Sequence, residues 1–231
     1  MQAVVLTIII MSTNKKFLPD GRLDKILVML QGLASGMRIF LQFACLSYMP
    51  LGDALTLVFT EPLWTILLSR LVLSISIGVW KIVFGGVLVG GMILCIQPPL
   101  LFSPQQDRLV SEDSPGYYVG AVLAISTAVT GSLANVIIAK CERVSSTVMV
   151  FFSGVGGVVL ALVFSIFDQD NNIVFNPAVI TWEQWVVLLV LGGMGIAGYF
   201  SMTRSLQLIP PTTVAVLRAM EIILAYIIQV R

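Results

Sequence analysis

Four ionisable side chains stand where the chain is otherwise apolar: Arg38, Glu61, Arg218 and Glu221. Two acids and two bases in such surroundings can hold a polar solute on its way through a membrane, relay a proton, or pair with one another and lock neighbouring helices. A charge near the centre of a bilayer-spanning helix costs about 2.5–3.5 kcal/mol on the lenient insertion scale, so each is expected to find a counter-charge or a polar cavity. Glu61 carries a second cost, because Pro62 follows it and removes a backbone donor where no water replaces it. Pro62 is expected to bend its helix and free the carbonyl of Val58, one turn back, to face a cavity or a neighbouring helix. Around Arg38 the residues Gln31, Ser35, Arg38, Gln42 and Cys45 recur at spacings of four, three, four and three. That is one polar stripe of a helix, with Leu30, Leu33, Met37 and Leu41 on the other side. The stripe is expected to line a water-filled cavity, with Arg38 turned toward Glu61. The candidate substrate-binding residues are therefore Arg38, Gln42, Glu61, Arg218, Glu221, Gln31 and Ser35. Arg218 and Glu221, at i and i+3, have the alternative of pairing with each other. Trp64 and Tyr226 read as packing or lipid-facing residues.

The elements that must position these residues are membrane helices. Of 231 residues, 58% are hydrophobic and 11% charged, and the mean hydropathy is +0.99, which fits an integral multi-pass membrane protein and no soluble domain. Apolar runs give seven full spans at about 26–48, 51–73, 79–99, 116–139, 146–167, 184–208 and 212–230, each near the roughly 20 residues a helix needs. The opening MQAVVLTIIIM is too short to cross alone and reads as the end of an interrupted helix, a partial first span. Lys15, Lys16, Arg22, Lys25, Arg70, Lys81, Lys140 and Arg143 fall on one side and the acidic loops on the other, so the first set is expected in the cytosol. Glycines at 32/36, 86/90 and 154 with 156/157 supply small faces for close helix contact.

Several chemistries are excluded. There is no histidine, and the net charge is +1, so neither a histidine metal or proton relay nor a nucleic-acid surface is expected. Cys45, Cys95 and Cys141 lack paired spacing and read as small buried hydrophobes. No phosphate-binding glycine loop lies between a strand and a helix, and no nucleophile has an adjacent base, so neither an enzyme nor a cofactor is expected.

Sliding the chain by 160 residues sets FLQFACLSYMPLGDALTLVFTEPLW, from Phe40, against FSMTRSLQLIPPTTVAVLRAMEIIL, from Phe200. Pro50 meets Pro210 and Glu61 meets Glu221, whereas the polar stripe meets the more apolar Leu191, Gly195, Gly198, Met202 and Ser205. The run Arg38 to Pro99, with YMPLGDALTLVFTEPLWTILLSRL and then GGVLVGGMILCIQPP, resembles the EamA domain of the drug/metabolite transporter superfamily and, within it, the G subfamily of solute carrier family 35. The resemblance implies an all-α polytopic membrane protein of two inverted five-helix EamA-type repeats, with both termini cytosolic and with the third, fourth, eighth and ninth helices walling a cavity. The first repeat is then 1–102, truncated at its N-terminus; 103–115 is a non-cytosolic linker; 116–231 is the second repeat, truncated at its C-terminus. Ser76 stands near the place where many such repeats carry glutamate. The expectation is a secondary transporter or exchanger of a small polar metabolite, organic anion or zwitterion, working by alternating access. Its partners are the lipid bilayer and a small-molecule substrate, with a homodimer as an open assembly and either the plasma membrane or an endomembrane as its location. The alternatives are a non-transporting membrane scaffold and a nucleotide-sugar-type exchanger of the endomembrane system.

Overall fold

A computed structural model describes residues 21–74, 78–96, 115–167 and 182–218. The described residues are helical: α1 (Arg22–Leu46), α2 (Leu51–Val58), α3 (Glu61–Leu73), α4 (Val79–Ile96), α5 (Pro115–Lys140), α6 (Ser146–Phe167), α7 (Trp182–Leu208) and α8 (Pro211–Arg218). Five stretches among them are long and apolar enough to cross a membrane: α1, α2 with α3, α5, α6 and α7. α4 adds an 18-residue apolar helix, and α8 begins the seventh span, whose remainder, with Glu221 and Tyr226, lies outside the described residues. The outer surface fits lipid as solvent. Leu23, Ile26, Met29, Leu33 and Phe43 of α1, and Trp182, Val187, Val190, Leu191 and Met194 of α7, all point outward, an apolar exposure no water-facing domain sustains. The chain is an all-helical, multi-pass integral membrane protein.

α1 is the central strut, packed mainly against α5 and α6. It meets α6 through glycines. A Cβ on Gly32 would stand 2.5 Å from the carbonyl oxygen of Phe152, one on Gly36 would stand 2.6 Å from the carbonyl of Gly156, and one on Gly156 would run into the carbonyl of Gly32. The backbones touch because nothing larger fits between them. Gly86, Gly90 and Gly157 meet nothing within 4 Å among the described residues, so the close crossing falls to Gly32, Gly36 and Gly156. Apolar clusters seal both ends of α1. Val28 packs with Ile137, Val144, Val148 and Met149 near one end, and Cys45 packs with Met49, Ala54, Val58, Tyr117 and Ala124 near the other. Cys141, in the first of these, is buried, and burial first and the Asp24 charge second push its thiol up to about 11, which keeps it protonated. Gln207 ties the end of α7 to the α5–α6 turn, accepting from Ser146 Oγ (2.6 Å) and donating to the carbonyls of Val144 (2.8 Å) and Cys141 (3.3 Å).

The second span breaks rather than bends. Phe59 N–H still reaches the Leu55 carbonyl (2.8 Å), but Thr60 then closes a tighter turn, donating to the Leu57 carbonyl from both its backbone N–H (3.2 Å) and its hydroxyl (2.7 Å). A new helix starts at Glu61, with Pro62 in the first turn, where a missing N–H leaves no helical bond unmade. The freed carbonyl met by a partner here is that of Leu57, and the partner is local. Trp64 contributes as well, its indole N–H bonding Thr60 Oγ1 at 3.2 Å.

Candidate functional site

The break sets the Glu61 carboxylate at the N-terminus of α3, where the helix dipole favours negative charge. Its two oxygens have separate partners. Oε2 accepts from Arg38 Nη2 of α1 at 2.9 Å, while Oε1 accepts from Asn135 Nδ2 of α5 at 2.7 Å and from Arg218 Nη1 of α8 at 3.4 Å. The Glu61 side chain is 9% exposed, against 20% for Arg38 and 32% for Arg218, so the acid lies innermost. α5 presents three roles to it. Asn135 holds the carboxylate, Ser132 Oγ donates to the Glu61 backbone carbonyl at 2.8 Å, and Gly131 leaves the room: a Cβ there would stand 2.9 Å from Arg38 Cδ and Nε and 3.3 Å from Glu61 Cδ.

A second polar cluster lies one turn back along α1. Gln31 Nε2 donates to Ser35 Oγ (3.0 Å) and to the Tyr199 hydroxyl of α7 (3.2 Å), and Ser153 Oγ of α6 donates to the same hydroxyl (3.2 Å). A phenol has one proton and two lone pairs. With both lone pairs engaged, Tyr199 gives its proton to Ser35 Oγ at 3.1 Å. This cluster is neutral, and it joins α1, α6 and α7.

Two cavities meet at the first cluster. One, of about 640 Å³, lies among α1, α5, α6 and α7, with Ser35, Ser153 and Tyr199 in its lining together with the small residues Gly154, Gly157, Gly192 and Gly195. The other, of about 200 Å³, lies between α1, α2, α3, α7 and α8, lined by Glu61, Pro62, Thr65, Met202 and Arg218. Arg38, Gln42 and Asn135 line both. A guanidinium bordering two cavities can bind an anion by charge-assisted hydrogen bonds, and Gln42 and Asn135 beside it can bind polar neutral groups.

Of the residues singled out by sequence, Arg38, Gln42, Glu61 and Arg218 come together at the smaller cavity. Ser35 lines the larger one, Gln31 is wholly buried behind it, and Glu221 lies outside the described residues. Asn135, Ser132, Gly131, Tyr199 and Ser153 were not among them. The signal for Asn135 and Tyr199 was present, since a lone amide in GSLANVIIAK and a lone phenol in GIAGYFSM are polar groups in apolar runs that must find partners.

Comparison with known proteins gives the same picture of relatedness. Residues 1–97 match the EamA-like transporter family. Solute carrier family 35 member G1 of Homo sapiens is 25% identical over 218 residues, 92% of this chain and 56% of that protein. The Mus musculus protein of the same name is 23% identical over 92% of this chain and 56% of its own length. A Saccharomyces cerevisiae protein named as a probable transport protein is 27% identical over 87% of this chain and 60% of its own. The chain thus spans a little over half the length of these relatives. No solved structure matches it.

Proposed function

Taking as premise that the chain is an EamA-like and solute carrier 35-like membrane protein, we propose that it forms part of a secondary transporter for a small polar metabolite, with an organic anion or zwitterion favoured, and that Arg38, Gln42, Glu61, Arg218 and Glu221 belong to its site. One observation carries the reading: Arg38 borders both cavities while its counter-ion Glu61 is also held from two further helices, by Asn135 of α5 and Arg218 of α8. A cation so placed can meet a solute in either cavity. Helices of 1–102 and 116–231 both contribute to the site, which supports alternating access by two inverted units joined through 103–115. The relatives' names, a solute carrier and a transport protein, point the same way.

The competing reading is that the charges only pair with each other and fix the bundle. Uptake into proteoliposomes separates the two, using full-length protein and a panel of labelled dicarboxylates, amino acids and neutral sugars. At equal reconstitution, Arg38→Gln is expected to lower uptake of its substrate about tenfold or more, the equivalent of one charge-assisted hydrogen bond. Glu61→Gln and Glu221→Gln are expected to lower it as well. Uptake equal to wild type in all three variants would leave the pairing role alone standing.

A further inference from the structure

We infer that Asn135 is a positioning residue that keeps Glu61 satisfied when Arg38 lets go of it, which makes Arg38 the exchangeable partner of the pair. The division of the carboxylate is the starting point. Oε2 serves Arg38 alone among the described residues, whereas Oε1 takes the shorter bond from Asn135, 2.7 Å, and the longer one from Arg218, 3.4 Å. Breaking a buried ion pair is strongly destabilising when it strands a charge without partners. Here departure of Arg38 bares Oε2 but does not strand the whole carboxylate, because the inner oxygen keeps its amide donor, and Asn135 is itself buried against the carboxylate.

The surroundings of Arg38 agree. Its Nε is buried with no acceptor among the described residues, so the guanidinium is under-used in its present position. Gly131 closes off the α5 side, and movement is left to the two cavities that Arg38 already borders. The amide suits this task better than a third cation would. It donates a hydrogen bond without adding charge, so it steadies Glu61 without competing for an anion that Arg38 would take. The inference rests on the transport reading only for what Arg38 does once free; the holding of Glu61 by Asn135 stands apart from it.

The test is a double-mutant cycle on the thermal midpoint of the full chain in detergent, which needs no substrate. Arg38→Gln is expected to lower the midpoint only slightly with Asn135 present, and at least twice as far in the Asn135→Ala background, where the carboxylate has only the long Arg218 contact left. The same cycle in a Glu61→Gln protein should lose this coupling, because no carboxylate remains to be stranded. If the two losses simply add, or if the coupling persists in the Glu61→Gln protein, Asn135 acts through packing and the inference is overturned. Should Asn135→Ala fail to assemble, Asn135→Ser carries the same comparison. Coupling found in a protein whose Arg38→Gln variant transports normally would keep the positioning role and overturn the placement of Arg38 in the solute site instead.

Discussion

Along α1, Gln31 and Ser35 are engaged by a neutral knot of amide and hydroxyl groups, whereas Arg38 and Gln42, one and two turns further on, border two cavities beside an ion pair. Both groups belong to one stripe with helical spacing. They differ in who answers them. The knot draws its partners from α6 and α7, in the form of Ser153 and Tyr199, and the Tyr199 hydroxyl ties its members together. The ion pair draws on α3, α5 and α8 and leaves part of Arg38 unused. A neutral cluster that spans three helices serves to join them, while an unevenly shared charged one retains capacity for a ligand.

The largest break in that contrast should come from Glu61→Leu. Removing the carboxylate leaves the Arg38 guanidinium, mostly buried, without its acid, and removal of one partner of a buried pair costs about 3–5 kcal/mol. Thermal unfolding of the purified chain should show this as the largest loss of any single polar substitution in either cluster. A loss no larger than that from Tyr199→Phe would mean that the pair is solvated enough to be dispensable, and the contrast would collapse.

Next in size is Gly156→Ala. The added methyl would press on the carbonyl of Gly32, and since that obstacle is backbone, α1 and α6 must separate, at a cost of about 1–3 kcal/mol by analogy with overpacked cores. Ser153 rides on α6 and Ser35 on α1, so the separation should pull the knot apart while sparing the bond between Glu61 and Asn135, which lies on the α5 side. Gly157→Ala, with nothing within 4 Å among the described residues, is the matched control and should not lower the midpoint, since alanine is the better helix former. Equal losses from the two alanines would show that contact with Gly32 does not set the result.

These cases mark how far the sequence could be read. Hydropathy located the helices because lipid imposes its length and polarity on each span separately. The Arg38–Glu61 pair was legible for a similar reason, since a buried charge demands an opposite one and few were on offer. Which members of the stripe meet a cavity was not legible. Spacing fixes a face of α1 but says nothing of what approaches that face: Tyr199 stands 168 residues from Gln31 in the chain, and Asn135 stands 74 from Glu61. The break at Thr60 was hidden for a local reason. Proline signals a disturbed helix, but whether it bends or restarts depends on a side chain able to take up the freed carbonyl, and the Thr60 hydroxyl does so two residues earlier.

The smallest expected effect sharpens the comparison most. Tyr199→Phe keeps the ring and deletes only the hydroxyl, the one group that Gln31, Ser35 and Ser153 all share. Left in a sealed core, the stranded donors would cost the full desolvation penalty. The knot, however, borders the 640 Å³ cavity, and water there can reach Ser153 and Ser35, so the expected loss is about 1 kcal/mol, near the net worth of a single hydrogen bond. Gln31 is the exception, being wholly buried and already carrying an oxygen with no partner among the described residues. Combining Gln31→Leu with Tyr199→Phe should therefore recover part of the loss by removing the stranded amide. In the uptake assay, Tyr199→Phe is expected to stay within about twofold of wild type, as a shift of about 0.4 kcal/mol or less would require. A tenfold fall in uptake at an unchanged midpoint would move the knot from the joint between helices into the binding site, and Gln31 and Ser35 would then stand beside Arg38 as residues that meet the solute.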